Sequence, residues 1–173
     1  MGPETRTEIV QCLEDSRAEF LEAVDGVTEA QATAHPQAGR WSVLDCVEHV
    51  TTVEERFFGR LQNAPREGAP AIDKQKEADL LARVPNRANR AEAPEPVRPS
   101  GRFATLAEAV GAFDAARART IALAVQEGQE IYSRAEAHPR FGALNGTELL
   151  IIIAGHARRH AGQIRELRAE LGA

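Results

Sequence analysis

The last stretch of the chain, Thr147–Leu171, leaves the fewest choices about how it can fold. Leu149, Ile152, Ile153, His156, His160, Ile164, Leu167 and Leu171 recur at steps of three and four, which is one face of an α-helix. Arg158, Arg165, Glu166 and Arg168 fall largely on other faces. A stripe this continuous has to be buried against other helices. Two of its members are histidines, and their spacing of four sets one imidazole above the other. Buried imidazoles need hydrogen-bond partners. A metal ion shared by the two rings would meet that need; so would backbone groups or water around two ordinary core histidines.

The other stripes tell what this helix packs against. Thr5-Arg6-Thr7-Glu8 reads as a capping box, followed by Ile9, Leu13, Phe20 and Val24 at helical spacing and a stop near Gly26. Residues 28–40 read as a connector, with His35 before Pro36 and so extended and exposed. Ser42 with Asp45 opens a second helix that runs to about Asn63, and Trp41 is placed to staple its first turn. Its stripe is Val43, Cys46, Val47, Val50, Val53, Phe57 and Leu61, with His49 among them. Thr105-Leu106-Ala107-Glu108 opens a third, whose stripe of Val110, Phe113, Arg117, Ile121 and Ala124 ends near Gly128. Arg117 reads either as an arginine snorkelling at the helix border or as a cation facing the cavity, ready for a substrate carboxylate. The passage through His138-Pro139-Arg140-Phe141-Gly142 reads as irregular connector, and Asn145-Gly146-Thr147 caps the last helix.

Between the second and third helices, residues 65–104 hold six of the nine prolines. Asp73 to Val84 suits one short helix; the rest suits an extended crossover. A connection this long can travel the length of a bundle, so the next helix can run parallel to the previous one. The expected fold is all-α, a four-helix bundle without a strand, as a single domain over residues 1–173.

Composition removes several functions. With 43% hydrophobic and 27% charged residues the chain is that of a globular protein, and a net charge of -5 with scattered basic residues provides no nucleic-acid footprint. No apolar run reaches the length of a membrane span, and Met1-Gly2-Pro3-Glu4 has no apolar signal core. Cys12 and Cys46 form no Cys-x-x-Cys motif, so a reducing cytoplasm is the expected compartment. What remains is the inward set of His49, His156 and His160 from two helices. Bundle cofactor sites are built from facing helices, and three imidazoles leave a coordination position open, as in catalytic rather than structural zinc.

Trp41-Ser42-Val43-Leu44-Asp45-Cys46-Val47-Glu48-His49 resembles the start of helix two in the DinB-like superfamily of metalloenzymes. So do Ala93-Pro94 through Pro99-Ser100-Gly101-Arg102, the stretch Phe113 to Ile121, and His156 to Gln163, all in the right order. The resemblance implies an up-down-down-up bundle and a divalent metal, most often zinc or nickel, held at His49, His156 and His160. Family members of known activity include thiol-dependent S-transferases and isomerases that use mycothiol or bacillithiol. The resemblance therefore implies a small-molecule substrate and a low-molecular-weight thiol as partner, and, because related bundles often pair, a homodimer.

Cys46, one turn from His49, is a second soft ligand by type, although a small core residue suits its position equally. Position 157 is Ala, so this is not His-Glu-x-x-His and the zincin base is missing. Asp45 and Glu48 read as a helix-start charge and a solvated face, and Gln163, one turn beyond His160, as a hydrogen-bond partner for a ligand imidazole. Four readings stay open: thiol transfer, hydrolysis at the same three ligands, a non-catalytic metal-binding, stress-associated bundle, and a bundle that keeps the histidines in its core without metal.

Overall fold

The computed structural model describes residues 3–88 and 92–172, with the side chains of residues 3–7 outside that description. Among the described residues it is mostly helical: α1 (Pro3–Val24), α2 (Glu29–Thr33), α3 (Val43–Asn63), α4 (Lys74–Arg83), α5 (Leu106–Glu127) and α6 (Gly146–Leu171). The capping signals mark real starts. Ser42 Oγ accepts from the Asp45 amide at 3.1 Å while the Asp45 carboxylate accepts from the Ser42 amide at 2.9 Å. Asn145 and Glu148 make the same reciprocal pair ahead of α6. Thr105 accepts from Glu108 N–H, but the Glu108 carboxylate reaches Ala104 N–H instead of closing the box. Helix α1 already begins at Pro3, which puts Thr5 inside it; the Thr5 side chain lies outside the described residues.

Two elements depart from the expected pattern. Within the 28–40 connector, Thr28 and Gln31 form a capping box for the five-residue α2, too short a helix to show a periodic stripe. The passage expected to be irregular contains a hairpin, β1 (Ala135–His138) paired antiparallel with β2 (Gly142–Asn145) in the register Ala135↔Asn145 to His138↔Gly142. So His138 ends a strand. Four-residue strands offer no readable alternation, and the turn closes on Gly142 at φ +71°, where a side chain would be strained. The hairpin is tied to the bundle by Ala135 N–H donating to the Pro65 carbonyl at 2.8 Å.

The four long helices form a ring in the order α1, α6, α3, α5. Partners along α3 and α5 rise together, Glu48 with Arg102 just ahead of α5, Glu54 with Arg117 and Thr120, and Arg66 just beyond α3 with Glu127, so these neighbours are parallel. Arg158 meets Glu19, Arg165 meets Glu22 and Arg168 meets the Ala23 carbonyl, so α1 and α6 are parallel as well. Arg17–Asp114 and Ser16–Arg117 run in opposite senses along α1 and α5, so with α1 parallel to α6 and α3 parallel to α5, α3 and α6 are antiparallel too. This is the up-down-down-up order. The crossover that makes α3 and α5 parallel carries α4 onto the start of α6, where Lys76 Nζ reaches the buried Glu148 at 2.8 Å.

The interior has two apolar clusters. One gathers Phe20, Val43, Val47, Phe113, Ala161 and Ile164, with the Phe20 and Phe113 rings 4.4 Å apart. The other gathers Leu13, Leu61, Ile131, Leu149 and Leu150. Arg117 lies between them at 0% exposure, which corrects both expectations for it. It neither snorkels nor waits for a substrate. The carboxylate it takes is Glu54, at 2.8 Å and 2.9 Å in a two-pronged pair, and its Nη1 donates to the Leu13 carbonyl and Ser16 Oγ.

Breaking one partner of such a pair strands a charge in the interior, so Arg117→Ala should destabilise the fold by about 3–5 kcal/mol in chemical denaturation. Arg17→Ala, which loses only the half-exposed pair with Asp114, should lose no more than about 1 kcal/mol. Equal losses in the two variants would contradict the assignment of Arg117 as the buried tie.

Candidate metal centre

His49 sits in the second turn of α3, and His156 and His160 are one turn apart on the antiparallel α6. Each of the three rings offers one nitrogen, and these atoms lie within 4.8 Å of one another. His49 Nε2 and His156 Nε2 are 3.1 Å apart. Two nitrogens bound to one zinc at about 2.0–2.1 Å would stand at nearly this separation.

The tautomers follow from the surroundings. His49 Nδ1 is 2.7 Å from the Val97 carbonyl, an acceptor only, so Nδ1 carries the proton and Nε2 presents its lone pair to the centre. This is the orientation that a backbone carbonyl gives to a metal-ligating histidine. Val97 ends a single 3₁₀ turn, Glu95–Val97, entered from Pro94 and containing Pro96. The proline-rich crossover thus has a task at the site: it aims one carbonyl. Without a cation, the His156 Nε2–H donates to His49 Nε2; with one, His156 would carry its proton on Nδ1.

All three rings are held neutral. Burial lowers the pKa of His49, against the pull of the Val97 hydrogen bond. Burial pushes His156 and His160 well below the ordinary histidine value, and the neighbouring imidazoles and Arg159 push the same way. A neutral imidazole is the form that ligates. His160 Nδ1 is buried with no hydrogen-bond partner, and the Gln163 side chain acts on the ring in the opposite, raising direction. An orphaned ring nitrogen, a fixed tautomer and three clustered ring nitrogens fit a divalent cation better than a set of ordinary core histidines.

Trp41 forms one wall, its ring tilted over His49 at 4.8 Å and stacked toward His160 at 6.2 Å. Sequence position suggested only a staple for this tryptophan. The crossover forms another wall along α6. A Cβ on Gly155 would lie 2.8 Å from Val84 Cβ, and one on Gly162 would lie 3.1 Å from Arg87 Cδ, so both glycines let the chain lie close to the histidine-bearing helix. Arg87 reaches Glu166 and Gln163, and Arg159 donates to the Asn86 carbonyl.

The remaining candidates separate cleanly. Cys46 is fully buried in an apolar cluster, which pushes its thiol pKa far up, and it stays outside the histidine group. Asp45 is the capping carboxylate. Glu48 is not on a solvated face: it is buried and accepts from Ser100 N–H, Ser100 Oγ and Arg102 N–H, clamping the crossover. His35 is exposed, with Nδ1 at 2.8 Å from the Arg40 carbonyl. His138 packs between Phe57 and Phe141, apart from the centre.

Comparisons with known proteins agree with the fold. A solved structure of YfiT from Bacillus subtilis, described as "a probable metal-dependent hydrolase with an unusual four-helix bundle topology", matches with a TM-score of 0.66 and 19% identity, over 99% of this chain and 90% of that one. The uncharacterized protein YuaE of Bacillus subtilis (strain 168) is 22% identical over 161 residues, covering 91% of this chain and 95% of YuaE. The family model of the DinB superfamily matches residues 13–164, a span that holds all three histidines and reaches into all four bundle helices, and the chain belongs to that superfamily.

Proposed function

We propose that the chain is a metal-dependent enzyme that holds one divalent cation, zinc or nickel, on His49, His156 and His160 and transfers a low-molecular-weight thiol to a small electrophile. The observation that carries this is the convergence of three neutral ring nitrogens with His49 already fixed in its ligating tautomer. The cation, when bound, supplies Lewis acidity that lowers the pKa of a thiol or water beside it. The protein's part is to orient: Val97 holds His49, α6 holds the other two rings in register, and Trp41 and the crossover keep bulk water from the rings.

Thiol transfer is favoured over hydrolysis by the acids at the site. Asp45 is engaged in its cap, Glu48 is engaged by three donors, and position 157 is Ala. A general base for water is therefore lacking among these neighbours, whereas a thiol that ionises on the metal needs none. Hydrolysis is the second reading, supported by the description of YfiT.

Trp41 is the only tryptophan in the sequence and lies against two of the rings. Titration with nickel or cobalt should therefore quench its fluorescence and saturate at one ion per chain. Because burial lowers the ring pKa values, proton competition should set in below the ordinary histidine value of about 6.5. Metal release centred above that pH would contradict the buried neutral site. The metal-free protein should lose stability over the same range, since below about pH 6.5 the unfolded chain takes up protons that the folded rings refuse.

A screen of thiols with alkylating and epoxide electrophiles should show metal-dependent thiol consumption that disappears in His156→Ala. Metal-dependent ester or amide hydrolysis without thiol consumption would favour the second reading. Neither activity in the metal-loaded protein would leave a metal-binding bundle.

A further inference from the structure

We infer that Glu48 is a positioning residue for the metal: it holds the crossover by its backbone so that the Val97 carbonyl fixes the His49 ring, and it thereby couples the crossover to the cation. The inference rests on the metal-dependent reading above and adds a residue outside the ligand set.

Glu48 and His49 are consecutive on α3, so their side chains leave the helix about 100° apart. Both nonetheless close on residues 97–102. His49 donates from Nδ1 to the Val97 carbonyl at 2.7 Å. Glu48 is 2% exposed. Its Oε1 accepts from Ser100 N–H at 2.6 Å and from Ser100 Oγ at 3.1 Å, and its Oε2 accepts from Arg102 N–H at 3.0 Å. Farther along α3, Glu55 takes the Arg102 side chain rather than the backbone.

The 3₁₀ turn that carries Val97 is shaped by bonds of its own. Val97 N–H donates to the Pro94 carbonyl, Arg98 N–H to the Glu95 carbonyl and Arg98 Nε to the Ala93 carbonyl. These bonds set the turn's shape, not its place on α3. Phe103, just beyond the gripped residues, is buried in an apolar cluster, and apolar packing is not directional. The directional hold is the Glu48 carboxylate, and hydrogen bonds to an ionised acceptor are the stronger kind. If the carbonyl drifts away, His49 Nδ1 loses its acceptor and the proton is free to move to Nε2, the atom that faces His156. A ring protonated on that nitrogen cannot ligate through it. Glutamine does not replace Glu48, although it has the same size. It has one acceptor oxygen, and its NH2 group would face one of the amide N–H groups.

The test compares full-length wild type with Glu48→Gln and Glu55→Gln. Zinc affinity is measured by competition with a chromophoric chelator. The His49 tautomer is read from nitrogen-15 resonances of the metal-free protein. Glu48→Gln should bind zinc about 10–100-fold more weakly, the range for losing a group that orients a ligand, and should lose the Nδ1–H signature of His49. Glu55→Gln breaks only the half-exposed pair with the Arg102 side chain and should match wild type in both readouts. A folded Glu48→Gln protein with unchanged zinc affinity and unchanged His49 tautomer would overturn the inference. A second measurement needs no variant. Coupling is reciprocal, so zinc should slow hydrogen exchange at the Ser100 and Arg102 amides of the wild type more than at the Ala135 amide, which is bonded to the Pro65 carbonyl. An equal change at all three amides with zinc bound would overturn the inference whether or not Glu48→Gln folds. Failure of the wild type to bind zinc would instead overturn the metal-dependent reading beneath it.

Discussion

A guanidinium with no access to water has to find its partners within the protein, and Arg117 finds them on all the other helices of the bundle. It pairs with Glu54 of α3, donates to the Leu13 carbonyl and Ser16 of α1, and reaches toward the Ile153 carbonyl of α6. Thr120 of α5 adds a donor to the same Glu54 carboxylate. Apolar packing alone tolerates sliding between helices, but a buried, directional pair does not. Glu54 lies five residues from His49 and Ile153 three residues from His156, so the pair that fixes the helices also sets the histidines opposite one another.

The crossover completes what the bundle begins. It makes α3 and α5 parallel, and on its way it passes over the open side of the histidines. Gly155 and Gly162 let it lie close to α6, Glu48 clamps it at Ser100 and Arg102, and a proline-built turn presents the Val97 carbonyl to His49. Residues that look like connector in composition therefore provide a hydrogen-bond acceptor to the site.

The helices and the three histidines were legible because both rest on periodicity and local capping. The stripe through Leu149, Ile153, His156 and His160 needs only its own spacing to point inward, and Ser42 with Asp45 needs only three residues to mark a start. What escaped depends on long-range partners. Arg117 sits at a stripe position whether it snorkels or is buried, and only Glu54, 63 residues away, decides between them. Glu48 looks like an ordinary surface acid until the backbone of residues 100–102 arrives. Trp41 stands outside α3, so no helical spacing ties it to the rings it covers. Helix α2 and the hairpin are too short for any pattern to rise above their neighbours.

The measurement that tests the account most directly is metal content per chain, by elemental analysis, of protein prepared without a chelating tag. The wild type is compared with the five single His→Ala variants at neutral pH. The three-histidine centre predicts one divalent ion per wild-type chain, most of it lost in His49→Ala, His156→Ala and His160→Ala and all of it kept in His35→Ala and His138→Ala. Wild-type retention in His156→Ala, or equal loss in His138→Ala, would contradict it and return the three rings to the core.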